Sequence, residues 1–108
     1  MAQPLKVGLA GLGTVGSAVV RLLDEGRDQL IARCGRPIEV VALNARTRGK
    51  KRDIDVKGFR WVSDPVALAR DPQIDAFVEV MGGAGDPAKS AVEAALAAGR
   101  IDVPSTLR

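Results

Sequence analysis

Apolar positions along this chain alternate between two periods. Residues 6–10 (KVGLA) are almost continuously apolar, as expected of a strand covered on both faces. After residues 11–13 the period becomes helical: Val15, Ala18, Val19, Leu22 and Leu23 recur on one face, and Leu30 with Ile31 continues it two turns later. That spacing predicts one long helix or two short ones loosened at Gly26, with Gly35 and Pro37 ending the segment. Residues 38–43 (IEVVAL) then read as a second buried strand, 53–58 as an exposed loop and 59–62 as a short strand. Ser63 or Asp64 is placed to cap a helix that has Pro65 in its first turn and Val66, Leu68 and Ala69 as apolar residues; Asp71 and Pro72 stop it.

Residues 74–81 (IDAFVEVM) supply a fourth strand. Asp86 and Pro87 open a last helix with Ala88, Ala91, Val92, Ala95 and Leu96 on its apolar face, and Gly99 is expected to close it as a left-handed cap. Strands alternating with helices predict an α/β fold, an incomplete Rossmann-type doubly wound parallel sheet of four to five strands in the order 3-2-1-4-5. A ligand is then expected across the carboxyl ends of strands 1, 2 and 4.

Between the first strand and the first helix stand Gly11, Gly13 and Gly16, spaced G-x-G-x-x-G. Three glycines alone are a weak signal in a chain with 12 of them. Between a strand and a helix each has a mechanical role, the first in a tight turn, the second in a close approach to a diphosphate, and the third in close packing of helix on strand. The helix N-terminus would face the anion. A ligand-free glycine turn is the competing reading.

Composition narrows the chemistry. With 46% hydrophobic residues and three aromatics, Trp61, Phe59 and Phe77, the core of a single small domain must be aliphatic. One cysteine, Cys34, permits no internal disulfide or cysteine cluster and reads as a small apolar residue; the lack of histidine removes imidazole chemistry. No metal site is expected. No apolar run suits a membrane span or a secretory signal, so a cytoplasmic protein is expected.

The net charge of +3 is local in origin. Five of the 16 basic residues lie in residues 46–52 (RTRGKKR), leaving 11 against 13 acids elsewhere. At the carboxyl end of strand 2, where an Asp or Glu would bind the ribose hydroxyl of NAD, the chain has Asn44, Ala45 and Arg46. Arg46 suits a 2′-phosphate, so NADP(H) is preferred and NAD(H) admitted; a solvated basic loop is the alternative. The run is too short and too free of aromatics for nucleic acid. Gly82 and Gly83 at the end of strand 4 either bring backbone near the nicotinamide side or simply turn the chain. Glu79, inside that strand, requires a partner if buried and is given no catalytic role.

The stretches KVGLAGLGTVGSAVVRLL, GRPIEVVALNAR, DPVALARDPQIDAFVEVMGG and PAKSAVEAALAAGR together resemble the amino-terminal cofactor domain of homoserine dehydrogenase over about residues 4–100. The resemblance implies reduction of aspartate semialdehyde to homoserine with NADPH or NADH, a step towards threonine and methionine. It also implies that Gly11, Gly13, Thr14, Val15 and Gly16 hold the diphosphate and that Arg46 bears on the 2′-phosphate; Asn44, Gly82 and Gly83, by their places at the carboxyl ends of strands 2 and 4, complete the candidate cofactor site.

After Gly99 the family pattern, a fifth strand leading to a lysine, gives way to GRIDVPSTLR, with Leu107 where the lysine is expected. Asp102 and Pro104 weigh against a buried fifth strand. Residues 1–100 thus read as an NAD(P)-binding domain and 101–108 as an atypical tail of a truncated, frame-shifted or engineered product without its catalytic domain. No catalytic residue is assigned, and the expected behaviour is dinucleotide binding without turnover. Self-association through an exposed sheet edge is expected as well. A non-enzymatic nucleotide-binding or regulatory module, or the cofactor domain of another semialdehyde reductase, are the competing functions.

Overall fold

The computed structural model describes residues 3–45, 58–81 and 86–104. At its centre is β1 (Leu5–Ala10), buried from Val7 onward and flanked by β2 (Ile38–Asn44) on one side and β4 (Ala76–Glu79) on the other. With β3 (Arg60–Trp61) and β5 (Ile101–Pro104) outside them, the sheet is all-parallel in the order β3-β2-β1-β4-β5, as the strand and helix alternation predicts. The order reverses direction after β1, so a crevice opens at the carboxyl ends of β1, β2 and β4.

Helix α1 (Thr14–Glu25) and helix α2 (Arg27–Cys34) are separate. Gly26 divides them, its N–H donating to the Leu22 carbonyl at 2.9 Å, and Gly35 ends α2 with φ 78°, donating to the Ile31 carbonyl. Helix α3 (Pro65–Ala69) starts at Asp64, whose carboxylate accepts from the Val66 N–H at 3.0 Å while Pro65 takes the first helical position. Helix α4 (Ala88–Ala97) is followed by Gly99 at φ 76°.

Two apolar layers hold the sheet. Leu9, Leu43 and Val20 pack with Val19, Val40 and Val78 on the α1 face. Leu68, Ile74, Phe77, Ala91 and Ala95 pack on the α3 and α4 face. Phe77, Leu9, Leu43 and Leu68 are fully buried, and such side chains each contribute about 1.5–3 kcal/mol.

Four expectations need correction. The face α1 turns to the sheet carries Gly16, Ser17 and Val20, whereas Val15 and Leu22 are 60% and 66% exposed. The helix rides so close at Gly16 that backbone contact, rather than the widest apolar stripe, sets its rotation. On α4, Leu96 is likewise exposed, and Ala94 takes its place among the buried residues. Cys34 is exposed at the end of α2.

The fourth correction is that β5 forms despite Asp102 and Pro104. Among the described residues it is an edge strand, where a missing ladder donor is tolerated. Asp102, in register with Phe77, is only half-buried. Ile101 and Val103 point to the opposite face, beyond the reach of α1 over β2, and are 56% and 49% exposed.

Candidate functional site

The carboxyl end of β1 passes into α1 through the turn at residues 11–13, and Gly11, Gly13 and Gly16 stand in three different environments. Gly11 has φ 105°, a conformation that suits glycine, and a Cβ on it would meet the carbonyl carbon and oxygen of Val80 at 2.9 Å. A Cβ on Gly16 would lie 1.9 Å from the Gly11 oxygen. Around Gly13, by contrast, no atom of the described residues comes within 4 Å of a Cβ position. The first and third glycines are thus demanded by the protein's own backbone, while the second leaves open space.

That space lies at the start of α1. Gly13 is the N-cap residue; no side chain caps the helix, and no acidic residue occupies its first turn. Thr14 and Val15 are exposed there. The first N–H groups of a helix have no intrahelical acceptor and carry its positive dipole end, so this turn can receive an anion close to backbone. Neighbouring strands fix the turn from both sides. The Gly11 N–H donates to the Asn44 carbonyl at 2.8 Å, and the Val80 N–H donates to the Ala10 carbonyl at 2.9 Å.

Asn44, Ala10 and Glu79 are register partners across β2, β1 and β4, and all three are buried. The Asn44 amide donates to the Val62 carbonyl at 2.8 Å and so ties the end of β2 to the residue after β3. Glu79 Oε2 accepts from the Met81 N–H at 2.6 Å.

A family model described as "Homoserine dehydrogenase, NAD binding domain" matches residues 11–103. The chain belongs to the homoserine dehydrogenase family. The homoserine dehydrogenase of Synechocystis is 39% identical over 95 residues, which are 86% of this chain and 21% of that protein. Among solved structures, that of the Thiobacillus denitrificans homoserine dehydrogenase superposes with TM-score 0.83 at 36% identity, covering 94% of this chain and 23% of the other. The Staphylococcus aureus homoserine dehydrogenase gives TM-score 0.83 at 31% identity over 94% of this chain and 26% of its own. This chain spans about a fifth of the length of the curated relatives it matches.

Membership of a nicotinamide dinucleotide-binding family gives the open glycine turn its context. The structure brings Gly11, Gly13, Thr14, Val15 and Gly16 together with the end of β2 at Asn44. Arg46, Gly82 and Gly83, as well as the basic run at 46–52, lie outside the described residues. A recess of about 610 Å³ lies elsewhere, between the second half of α1 and the start of β2. It mixes Val20, Leu23 and Val40 with the Arg27–Glu39 ion pair (2.9 Å) and shares no residue with the glycine turn. No helix among the described residues is long and apolar enough to cross a membrane.

Glu79 and the Val80–Met81 peptide are the part of this region to which the residue pattern assigns no role. The sequence shows a carboxylate inside an apolar strand run, which marks a partnered group without saying whose backbone it holds.

Proposed function

We propose that this chain is the cofactor-binding part of a homoserine dehydrogenase and takes NADP(H) ahead of NAD(H) across the carboxyl ends of β1, β2 and β4. The observation that carries this reading is the open space at Gly13 beside an uncapped helix start, framed by two glycines that the backbone itself requires. Gly11, Gly13, Thr14, Val15 and Gly16 hold the diphosphate, and Gly82 and Gly83 border the nicotinamide side. Arg46 bears on the 2′-phosphate. The strand end supports this preference, because no acid follows β2 and the Asn44 amide is engaged by Val62.

When bound, the cofactor supplies hydride exchange with a carbonyl carbon, in this family between aspartate semialdehyde and homoserine. The residues of this chain bind and orient it; alone, the chain binds without turnover. As part of an amino-acid biosynthetic enzyme it would act in the cytoplasm. A second reading, self-association of the chain along the β5 edge, is favoured by the exposure of Ile101 and Val103.

Parallel calorimetric titrations with NADPH and NADH, repeated on Arg46→Ala, test the proposal. NADPH should bind more tightly, and the substitution should weaken it by about 1–3 kcal/mol, as for a lost charge-assisted contact, with NADH little changed. A folded chain that binds neither dinucleotide refutes it.

A further inference from the structure

We infer that Glu79 is a positioning residue for the dinucleotide crevice, holding the Val80–Met81 peptide against which the glycine turn rests. This rests on the reading of that turn as the cofactor site.

One peptide unit, Val80–Met81, is placed by two neighbours. Its nitrogen side, the Met81 N–H, donates to Glu79 Oε2 at 2.6 Å. Its carbon side, the Val80 carbonyl, stands 2.9 Å from where a Cβ on Gly11 would sit, and the Met81 nitrogen stands 3.1 Å from the same point. Rotation of this peptide plane would push an oxygen into the one place the first glycine leaves clear. Val80 also reaches the third glycine, its Cγ2 lying 3.3 Å from a Cβ position on Gly16. Immediately before it, the Val80 N–H is held by the Ala10 carbonyl at 2.9 Å. The carboxylate therefore captures the first amide after the β4 ladder bonds, where the chain leaves the sheet toward the nicotinamide side of the crevice.

Burial makes the side chain suited to holding that amide. Glu79 is 0% exposed, so competing water does not loosen its hydrogen bond. An apolar residue would fill the volume equally well, yet would leave the Met81 N–H without this acceptor and the peptide plane free to turn. Leucine removes a buried carboxylate that is costly to desolvate together with the bond it accepts, so the two effects on folding offset in part while the peptide plane loses its anchor, and stability and cofactor affinity should separate.

The test uses the full chain as Glu79→Leu and Glu79→Gln, with thermal midpoint, NADPH titration and amide hydrogen exchange at Met81 and Gly11. Glu79→Leu should keep a midpoint near that of the parent chain, lose protection at Met81, and bind NADPH roughly five- to tenfold more weakly. Glu79→Gln, which keeps a side-chain carbonyl, should restore most of the affinity. Should the leucine variant not fold, Glu79→Met decides. Its unbranched side chain has a similar length and no oxygen to hold the Met81 N–H, so a folded methionine variant with unchanged affinity overturns the inference. Unchanged affinity in a folded Glu79→Leu chain also overturns it, as does weakening that only tracks the loss of midpoint in both Leu and Gln variants. A parent chain that binds no dinucleotide refutes the site itself, an outcome distinguishable from these because it precedes any substitution.

Discussion

A Cβ on Gly16 would stand 1.9 Å from the carbonyl oxygen of Gly11, so the first turn of α1 and the turn leading into it touch backbone to backbone. This contact sets how closely the helix approaches the sheet, and it explains why the buried face of α1 begins at Gly16 and Ser17.

Gly16→Ala and Gly13→Ala should accordingly behave oppositely. At Gly16 the added methyl must displace backbone, at a cost of about 1–3 kcal/mol or more, which lowers the midpoint of a domain this size by at least about 4–8 °C. At Gly13, with φ −76° and open surroundings, alanine should change stability by less than about 1 kcal/mol, its lower chain entropy offsetting its poorer capping. With the dinucleotide placed as proposed, its methyl enters the cofactor's space, so NADPH binding should weaken. Thermal melts and titrations of both variants check this, and equal loss of stability in the two would contradict it.

Asn44→Ala should destabilise the chain by about 1–3 kcal/mol, because the buried amide that donates to the Val62 carbonyl at 2.8 Å is lost and β3 has only two ladder residues of its own. Denaturant melts measure this. A variant as stable as the parent would mean that β3 is held by something other than this bond.

Asp86 titrates below the usual carboxylate range, held there first by the Ser90 hydroxyl, then by the Ser90 N–H at 3.1 Å, with a smaller contribution from the Lys89 charge. Its folded pKa is depressed, so its contribution to stability is present above the unfolded pKa and is lost as pH falls through the folded one. Ser90→Ala removes the largest cause and should move the Asp86 titration upward, read by carboxyl carbon NMR. An unmoved titration would show that the hydroxyl is not the cause.

Ile101 and Val103 on the exposed face of edge strand β5 make that edge the expected route of self-association. Val103→Lys should shift sedimentation of concentrated samples toward the monomer. Concentration-dependent association that is unchanged by the lysine would place the contact elsewhere.

Much of the fold is legible in the residues because the code is local. A continuous apolar run before G-x-G-x-x-G, Pro65 behind Asp64, and Gly35 and Gly99 at helix ends each determine structure within a few residues. What escapes is tertiary. The rotation of α1 depends on Gly11 meeting Gly16, which periodicity of apolar residues cannot register. The formation of β5 depends on its position at an edge, where Asp102 lies half-buried instead of in a closed core. Glu79 is visible as an anomaly, but its partner, the Met81 N–H, is a backbone group that no side-chain pattern reveals.

Titrating the isotopically labelled chain with NADPH, while following its backbone amides by NMR, reads whether the glycine turn receives a dinucleotide. Saturable shifts concentrated at Gly11, Gly13, Thr14, Val15 and Gly16 are the predicted result. Shifts confined to the α1–β2 recess around Val20, Leu23 and Val40, or no shifts from a folded chain, would contradict it.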